Sequence, residues 1–414
     1  MTARKYDMPF NSIFYASLQE EILMKMMVLD WNFYGKEPTF RALNKLGIEV
    51  CLFSHKDFQE RVSAAFTSSF KKFISDNRPD ICFSYNFYPL LSESCHELNI
   101  PYISFIYDSP YVLLYSTALR YETNHVFLFD SAECRKFNLG GFKNVHYMVL
   151  PGDPDYMNEL SEQNYSSDRD SCDISFVGVL YNEEHNFYER YVDKSDKLLV
   201  GYLDGIMDAQ HLVYGTDLIE KSFDSDIMDK IGKTMQYKFN SEGIETPEYI
   251  YSRYLVDRKM TSRERFSYLE AVGRAFPGKA RLFTVDKNVK IHNIKNMGIA
   301  LYPNVMASVF SHSKINLNIT LRSITNGIPL RCIDIMSSGG FLLSNYQEDL
   351  AEAFSAGEEF DYFDSEDSLV EKIHYWLNHD KERREAAEAA KEHIRRDYNF
   401  PDTFRKMIDI AVNE

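Results

Sequence analysis

Residues 326–334 hold the segment with most chemistry: Asn326-Gly327-Ile328-Pro329, then Arg331 and Asp334. The apolar run Ser313–Thr320 before it reads as a strand, and Leu330–Ser337 after it reads as a helix closed by Gly339-Gly340. Backbone N–H groups at a helix N-terminus suit an anion such as a diphosphate. Gly327 lets backbone approach closely. Arg331, in the first turn, would add charge-assisted bonds to phosphate. Asp334 falls one turn later, where a carboxylate can accept from both ribose hydroxyls. The same two residues, three apart on a helix, are also placed to pair with each other.

A second candidate is Tyr107-Asp108-Ser109-Pro110, directly after a buried strand. Ligands of doubly wound sheets sit beyond the carboxyl ends of strands. There Asp108 is a general base toward an acceptor hydroxyl, a polar anchor, or the cap of the next helix. Asp30 and Asn32 follow the first strand and Asn86 the third, so they share that edge. Gly178, after the strand "DISFV", either admits a ligand or makes a tight turn. Tyr302 ends the apolar run "GIALY", at a strand end like the others. Lys314 either reaches a phosphate or lies on the strand edge, and Asn318 belongs to the same donor-side group.

Two units must position these residues. Apolar strands and amphipathic helices alternate over the first 150 residues, which predicts a parallel sheet covered on both faces. A polar run from Gly152 to Asp170 interrupts the pattern, which restarts at Cys172. The expected organisation is an acceptor-side domain over 1–155, a linker at 156–171, and a nucleotide-sugar domain over 172–398 with a helical insertion near 190–260. The amphipathic stretch 399–414 is expected to return to the first domain, burying Phe404, Met407, Ile408 and Ala411. A length of 414 residues accommodates two such domains. The architecture predicted is α/β, two Rossmann-like doubly wound domains facing a cleft.

Composition excludes several classes. A net charge of −16 argues against a nucleic-acid partner. No run is apolar enough to span a bilayer and no signal peptide is evident, so a cytoplasmic location is expected. The six cysteines lack C-x-x-C spacing and read as reduced thiols. Asp153-x-Asp155, Asp168-x-Asp170 and Asp224-x-Asp226 imitate a metal motif, but chance supplies such pairs in a chain this rich in Asp. No metal and no cofactor are expected.

The run "SKINLNIT…NGIPLRCIDIMSSGGFLLSNYQEDLAEAF" resembles the bacterial spore-maturation-type glycosyltransferases, a group with the GT-B fold. "FIYDSPYVLLYS" (105–116), "HVFLFD" (125–130) and "DISFVG" (173–178) extend the resemblance, while residues 190–260 fall outside it. It implies that the strand, the G-x-P-x-R turn, the acidic residue and the following apolar strand form the donor site. Retaining GT-B families carry an acidic residue eight positions before the ribose carboxylate, where this chain has Asn326. The implied activity is transfer of a sugar from a nucleoside-diphosphate donor to a glycan, protein or lipid hydroxyl. The alternatives are a nucleotide-sugar epimerase of the same architecture and a sugar-nucleotide-binding protein without catalysis.

Overall fold

A computed structural model describes residues 24–182 and 186–413. The first sheet contains β1 (Lys25–Leu29), β2 (Glu49–Phe53), β3 (Ile81–Tyr85), β4 (Tyr102–Ile106), β5 (Asn124–Leu128) and β6 (Val145–Tyr147). All pairings are parallel, in the order β2-β1-β3-β4-β5-β6. β3, β4 and β5 are buried along their whole length, as continuous apolar runs require.

The second sheet contains β7 (Cys172–Val177), β8 (Ala280–Phe283), β9 (Lys295–Asn296), β10 (Ser313–Asn318), β11 (Leu342–Asn345) and β12 (Asp361–Phe363). Its order, β12-β11-β10-β7-β8-β9, reverses direction between β7 and β10. Both sheets thus have a topological switch point, β1/β3 in the first and β7/β10 in the second, where ligands enter such folds.

Local expectations fail in informative places. Gly298–Tyr302 is not a strand. Gly298 adopts φ +78°, and Pro303 has no N–H to give a ladder. The edge strand forms instead at Lys295–Asn296, leaving Ile299 and Leu301 exposed. Residues 156–171 are mostly helical: the helix Pro154–Asn164, capped by Asp153, packs on Asn304–His312. Of the Asp-x-Asp pairs, Asp153 and Asp224 are helix caps, and Asp170 is bound to Arg169 and Ser308.

The domains meet along several lines. The helix Phe400–Asn413 packs on the helix Lys36–Lys45 and on β4 and β5, with the Phe404 and Phe83 rings 5.1 Å apart. The expected return to the first domain is therefore present. Both passes of chain between domains run side by side, the Gly152 N–H donating to Tyr398 O at 2.9 Å. The inserted helices of 187–256 share one apolar core with the first domain, where Tyr188, Leu203 and Ile231 join Leu91, Tyr115 and Leu119. Backbone bonds from Thr117 to Glu242 O and from Ile244 to Tyr115 O pin this insertion down.

Candidate active site

The carboxyl ends of both sheets face each other. After β3, Asn86 turns left-handed at φ +59°, a conformation Asn tolerates. Its amide Nδ2 donates to Asp108 Oδ2 at 2.7 Å, and its Oδ1 accepts the N–H groups of Tyr107 (3.3 Å) and Asp108 (3.4 Å). Both ends of the Asn86 amide therefore hold the Asp108 segment. Burial pushes the Asp108 carboxyl above its usual range, and the Asn86 bond opposes that shift. Asp30 is paired with Lys36, and Asn32 is exposed at φ +48°.

The two sequence neighbours of Asp108 each reach toward a different cavity. On one side, Tyr107 lines a narrow pocket of about 40 Å³. Asp334, Tyr302, Tyr34, Tyr85 and Tyr156 line it too. Asp334 is 7% exposed, and burial raises its carboxyl to about 7, with Arg331 opposing the shift. Tyr34 and Tyr302 meet edge to face at 4.9 Å. On the other side, Ser109 Oγ lies 3.2 Å from Ser323 Oγ, and Ser323 lines a chamber of about 700 Å³.

The other candidates divide. Arg331 sits in the first turn as expected, but its guanidinium donates to Met306 Sδ at 2.7 Å and lies 5.5 Å from the Phe310 ring centroid. Lys314 does not join the group. It stands at the amino end of β10, away from the cleft edge, paired with Asp173 at 2.6 Å. Asn318 is buried, its amide donating to Thr320 and Ser344 hydroxyls at 2.9 Å each, so it ties strand ends together. Gly178 continues the sheet, its N–H donating to Phe283 O at 2.9 Å.

Asn326 and Gly327 are placed differently from expectation. A Cβ at Gly327 would stand 2.8 Å from Phe129 O and 2.9 Å from Asp130 Cα, so this glycine admits the backbone of the first domain, not a ligand. The Asp130 carboxylate accepts the N–H groups of Thr325 (2.7 Å) and Asn326 (3.3 Å), as well as those of Ala132 (2.9 Å) and Glu133 (3.4 Å). Asp349 answers from the opposite domain by accepting the Ser131 N–H at 3.0 Å. The loop amides expected to meet phosphate thus meet a carboxylate of the same chain.

Two further residues escape the sequence pattern. Asp130 follows β5, so the rule that selects Asp108 also reaches it, although it was not among the expected residues. Arg265, on the helix Asp257–Ala275, donates to Ile319 O at 2.6 Å and to Val179 O at 2.5 Å. It thereby bridges the ends of β10 and β7 at the switch point. Its partners are distant carbonyls, which leave no trace in local sequence. Among the described residues, no group of three or more His, Cys, Asp or Glu is placed to hold a metal ion, and no helix is long and apolar enough to cross a membrane.

Residues 270–409 match the model of a family described as glycosyl transferase-like. No curated protein matches the chain. Among solved structures, the UDP-forming α,α-trehalose-phosphate synthase of Burkholderia vietnamiensis is similar, with 9% identity over 94% of this chain and 100% of that one, TM-score 0.54. The corresponding Burkholderia xenovorans enzyme has 12% identity over 94% and 99%, TM-score 0.52. Anabaena HepE in complex with UDP-glucose has 9% identity over 94% and 100%, TM-score 0.50. At such identities the likeness carries the architecture. The chain has the GT-B fold of two facing parallel-sheet domains, and its segment 270–409 is similar to a family described as glycosyl transferase-like.

Proposed function

We propose that this protein transfers a sugar from a nucleoside-diphosphate donor to an acceptor hydroxyl without a metal ion. The observation that carries the reading is the segment Tyr107–Ser109, with Asp108 held by Asn86, Tyr107 on the pocket that Asp334 lines and Ser109 against Ser323 of the chamber. The nucleoside lies on the Asp334 side, its ribose hydroxyls on that carboxylate and its base near Tyr302. A pocket of about 40 Å³ is far smaller than the several hundred Å³ that ligand sites occupy. Donor entry therefore separates Tyr34 from Tyr302, and closure over the donor excludes water.

In the transfer step the acceptor oxygen forms the new bond to the anomeric carbon as the bond to the diphosphate breaks. The diphosphate leaves with the electron pair of that bond, and the acceptor proton passes to Asp108. A carboxyl whose affinity for protons is raised by burial is a better base near neutral pH than an exposed one. Arg331, one turn from Asp334 and without a carboxylate at bonding distance among the described residues, turns from Met306 to the leaving group.

The test is a thermal-shift screen against nucleoside-diphosphate sugars, followed by transfer assays with and without chelator. We expect stabilisation by one donor class and transfer that chelator leaves intact. Binding without transfer or donor hydrolysis would favour the non-catalytic alternative. Turnover of the donor to an isomer without any acceptor would identify an epimerase.

A further inference from the structure

The chamber on the far side of Asp108 owes its shape to the insertion that the family resemblance does not cover. It lies among the helix Ser131–Leu139, the inserted segments around residues 215–221 and 246–253, and the loop at Ser323 and Thr325. Its volume of about 700 Å³ falls within the range of small-molecule sites.

The wall is organised before any ligand arrives. Arg253 is buried and held by Asp217 at 2.8 Å, Asp257 at 3.1 Å and Glu220 at 3.4 Å. Glu220 also takes Lys136 at 2.5 Å. Tyr115 donates its hydroxyl to Glu133 at 3.3 Å. Four cationic side chains and four carboxylates line the chamber in all, so its charge balances. A phosphorylated or otherwise anionic ligand needs cations in excess, and here carboxylates equal them in number. A lipid tail needs an unbroken apolar wall, and here carboxylates, cations and hydroxyls interrupt it. A sugar hydroxyl both donates and accepts, which suits a wall where carboxylates alternate with ammonium and guanidinium groups.

We propose that this chamber is the acceptor site and that it receives the neutral, hydroxyl-rich end of a glycan. The proposal rests on the glycosyl-transfer reading for its link to Asp108, through the Ser323–Ser109 contact. The insertion then selects the acceptor by charge balance and leaves the donor to the second domain. Glu133, whose carboxylate already accepts the Tyr115 hydroxyl, meets the glycan as an acceptor.

A direct binding measurement on the full chain tests this without depending on turnover. Saturation-transfer NMR would compare three probes: a set of neutral trisaccharides, glucose 6-phosphate, and octyl glucoside. Leu139, 84% exposed and on the chamber lining, is replaced by Trp to obstruct the chamber without touching the core. We expect a neutral trisaccharide to bind the wild type, and Leu139→Trp to weaken it at least tenfold at an unchanged unfolding midpoint. The proposal is overturned if no neutral trisaccharide binds, if only the anionic or the tailed probe binds, or if Leu139→Trp leaves the affinity unchanged. A chain that binds trisaccharide in this Leu139-sensitive way yet transfers no sugar would refute the transferase reading and leave the glycan site standing. A chain that transfers sugar with an acceptor KM indifferent to Leu139→Trp would refute the chamber alone.

Discussion

The narrow pocket at Asp334 and the wide chamber at Arg253 lie at opposite ends of one short segment, Tyr107 lining the first and Ser109 touching Ser323 of the second, yet they are built differently. The pocket is made where elements of the two domains meet at the facing edges of the sheets, and five tyrosines and Phe400 contribute to its lining. A small relative shift of the domains changes its volume. The chamber has helical walls from outside both sheets, fixed by the ion network on Arg253. On the proposed reading, sheet topology provides the place where donor and acceptor meet, and the insertion provides a preformed shape on one side of it.

The sharpest test of the comparison is at Asp108, whose two sequence neighbours adjoin one cavity each. Asp108→Asn should lower transfer roughly 100- to 10,000-fold, as loss of a general base does, with little change in donor affinity. Turnover within tenfold of wild type would mean that the two cavities do not meet at Asp108.

Next in size is the seam that sets the distance between them. Asp130→Ala strands the N–H groups of Thr325 and Asn326 in a buried interface, which should cost about 3 kcal/mol in denaturant unfolding. Gly327→Ala drives a methyl against Phe129 O and should cost about 1–3 kcal/mol. If both variants unfold like wild type, the domains do not depend on this seam, and the chamber is no more fixed than the pocket.

Asp334→Ala should weaken nucleoside and nucleoside diphosphate alike by about 1–3 kcal/mol in titration calorimetry, because it acts on ribose. Arg331→Ala should weaken the diphosphate more than the nucleoside. The same carboxyl carries a pH signature. Unfolded it ionises near 3.8, folded at about 7. Between those values the folded chain holds a proton that the unfolded chain has lost, so this group's contribution to stability falls as pH rises through the window. Asp334→Asn, which cannot ionise, should gain stability over wild type from pH 4 to pH 8. A constant difference would show that Asp334 is not buried from water.

The smallest effect is expected at Lys314, whose exposed pair with Asp173 lies at the other edge of the sheet. Lys314→Ala should leave donor affinity and stability within about 0.5 kcal/mol. A larger loss of donor affinity would return Lys314 to the phosphate site.

Periodicity exposed the fold more fully than the site. Continuous apolar runs identified β3, β4 and β5, and the stripe of Phe404, Met407, Ile408 and Ala411 identified a helix that needed a distant partner. Asp108 and Asn86 were legible because they follow strands. Gly327 was legible as a point of close approach, but nothing local says whether a phosphate or another domain approaches it. Arg265 and Asp130 act through backbone groups far along the chain, where only the folded arrangement brings them. The pattern of Gly298–Tyr302 read as a strand because its apolar residues were counted without the cost of Gly298 and Pro303.

The helix Phe400–Asn413 also bears on how the protein is made. It covers β4 and β5, which leave the ribosome some 270 residues earlier. At roughly 5–20 residues per second, that face of the first sheet waits tens of seconds for its cover. Phe83 and Phe105 lie in the same apolar core as Phe404. Until the helix arrives they are available to any passing hydrophobic surface. During synthesis the first domain thus carries an apolar face that only the finished chain covers.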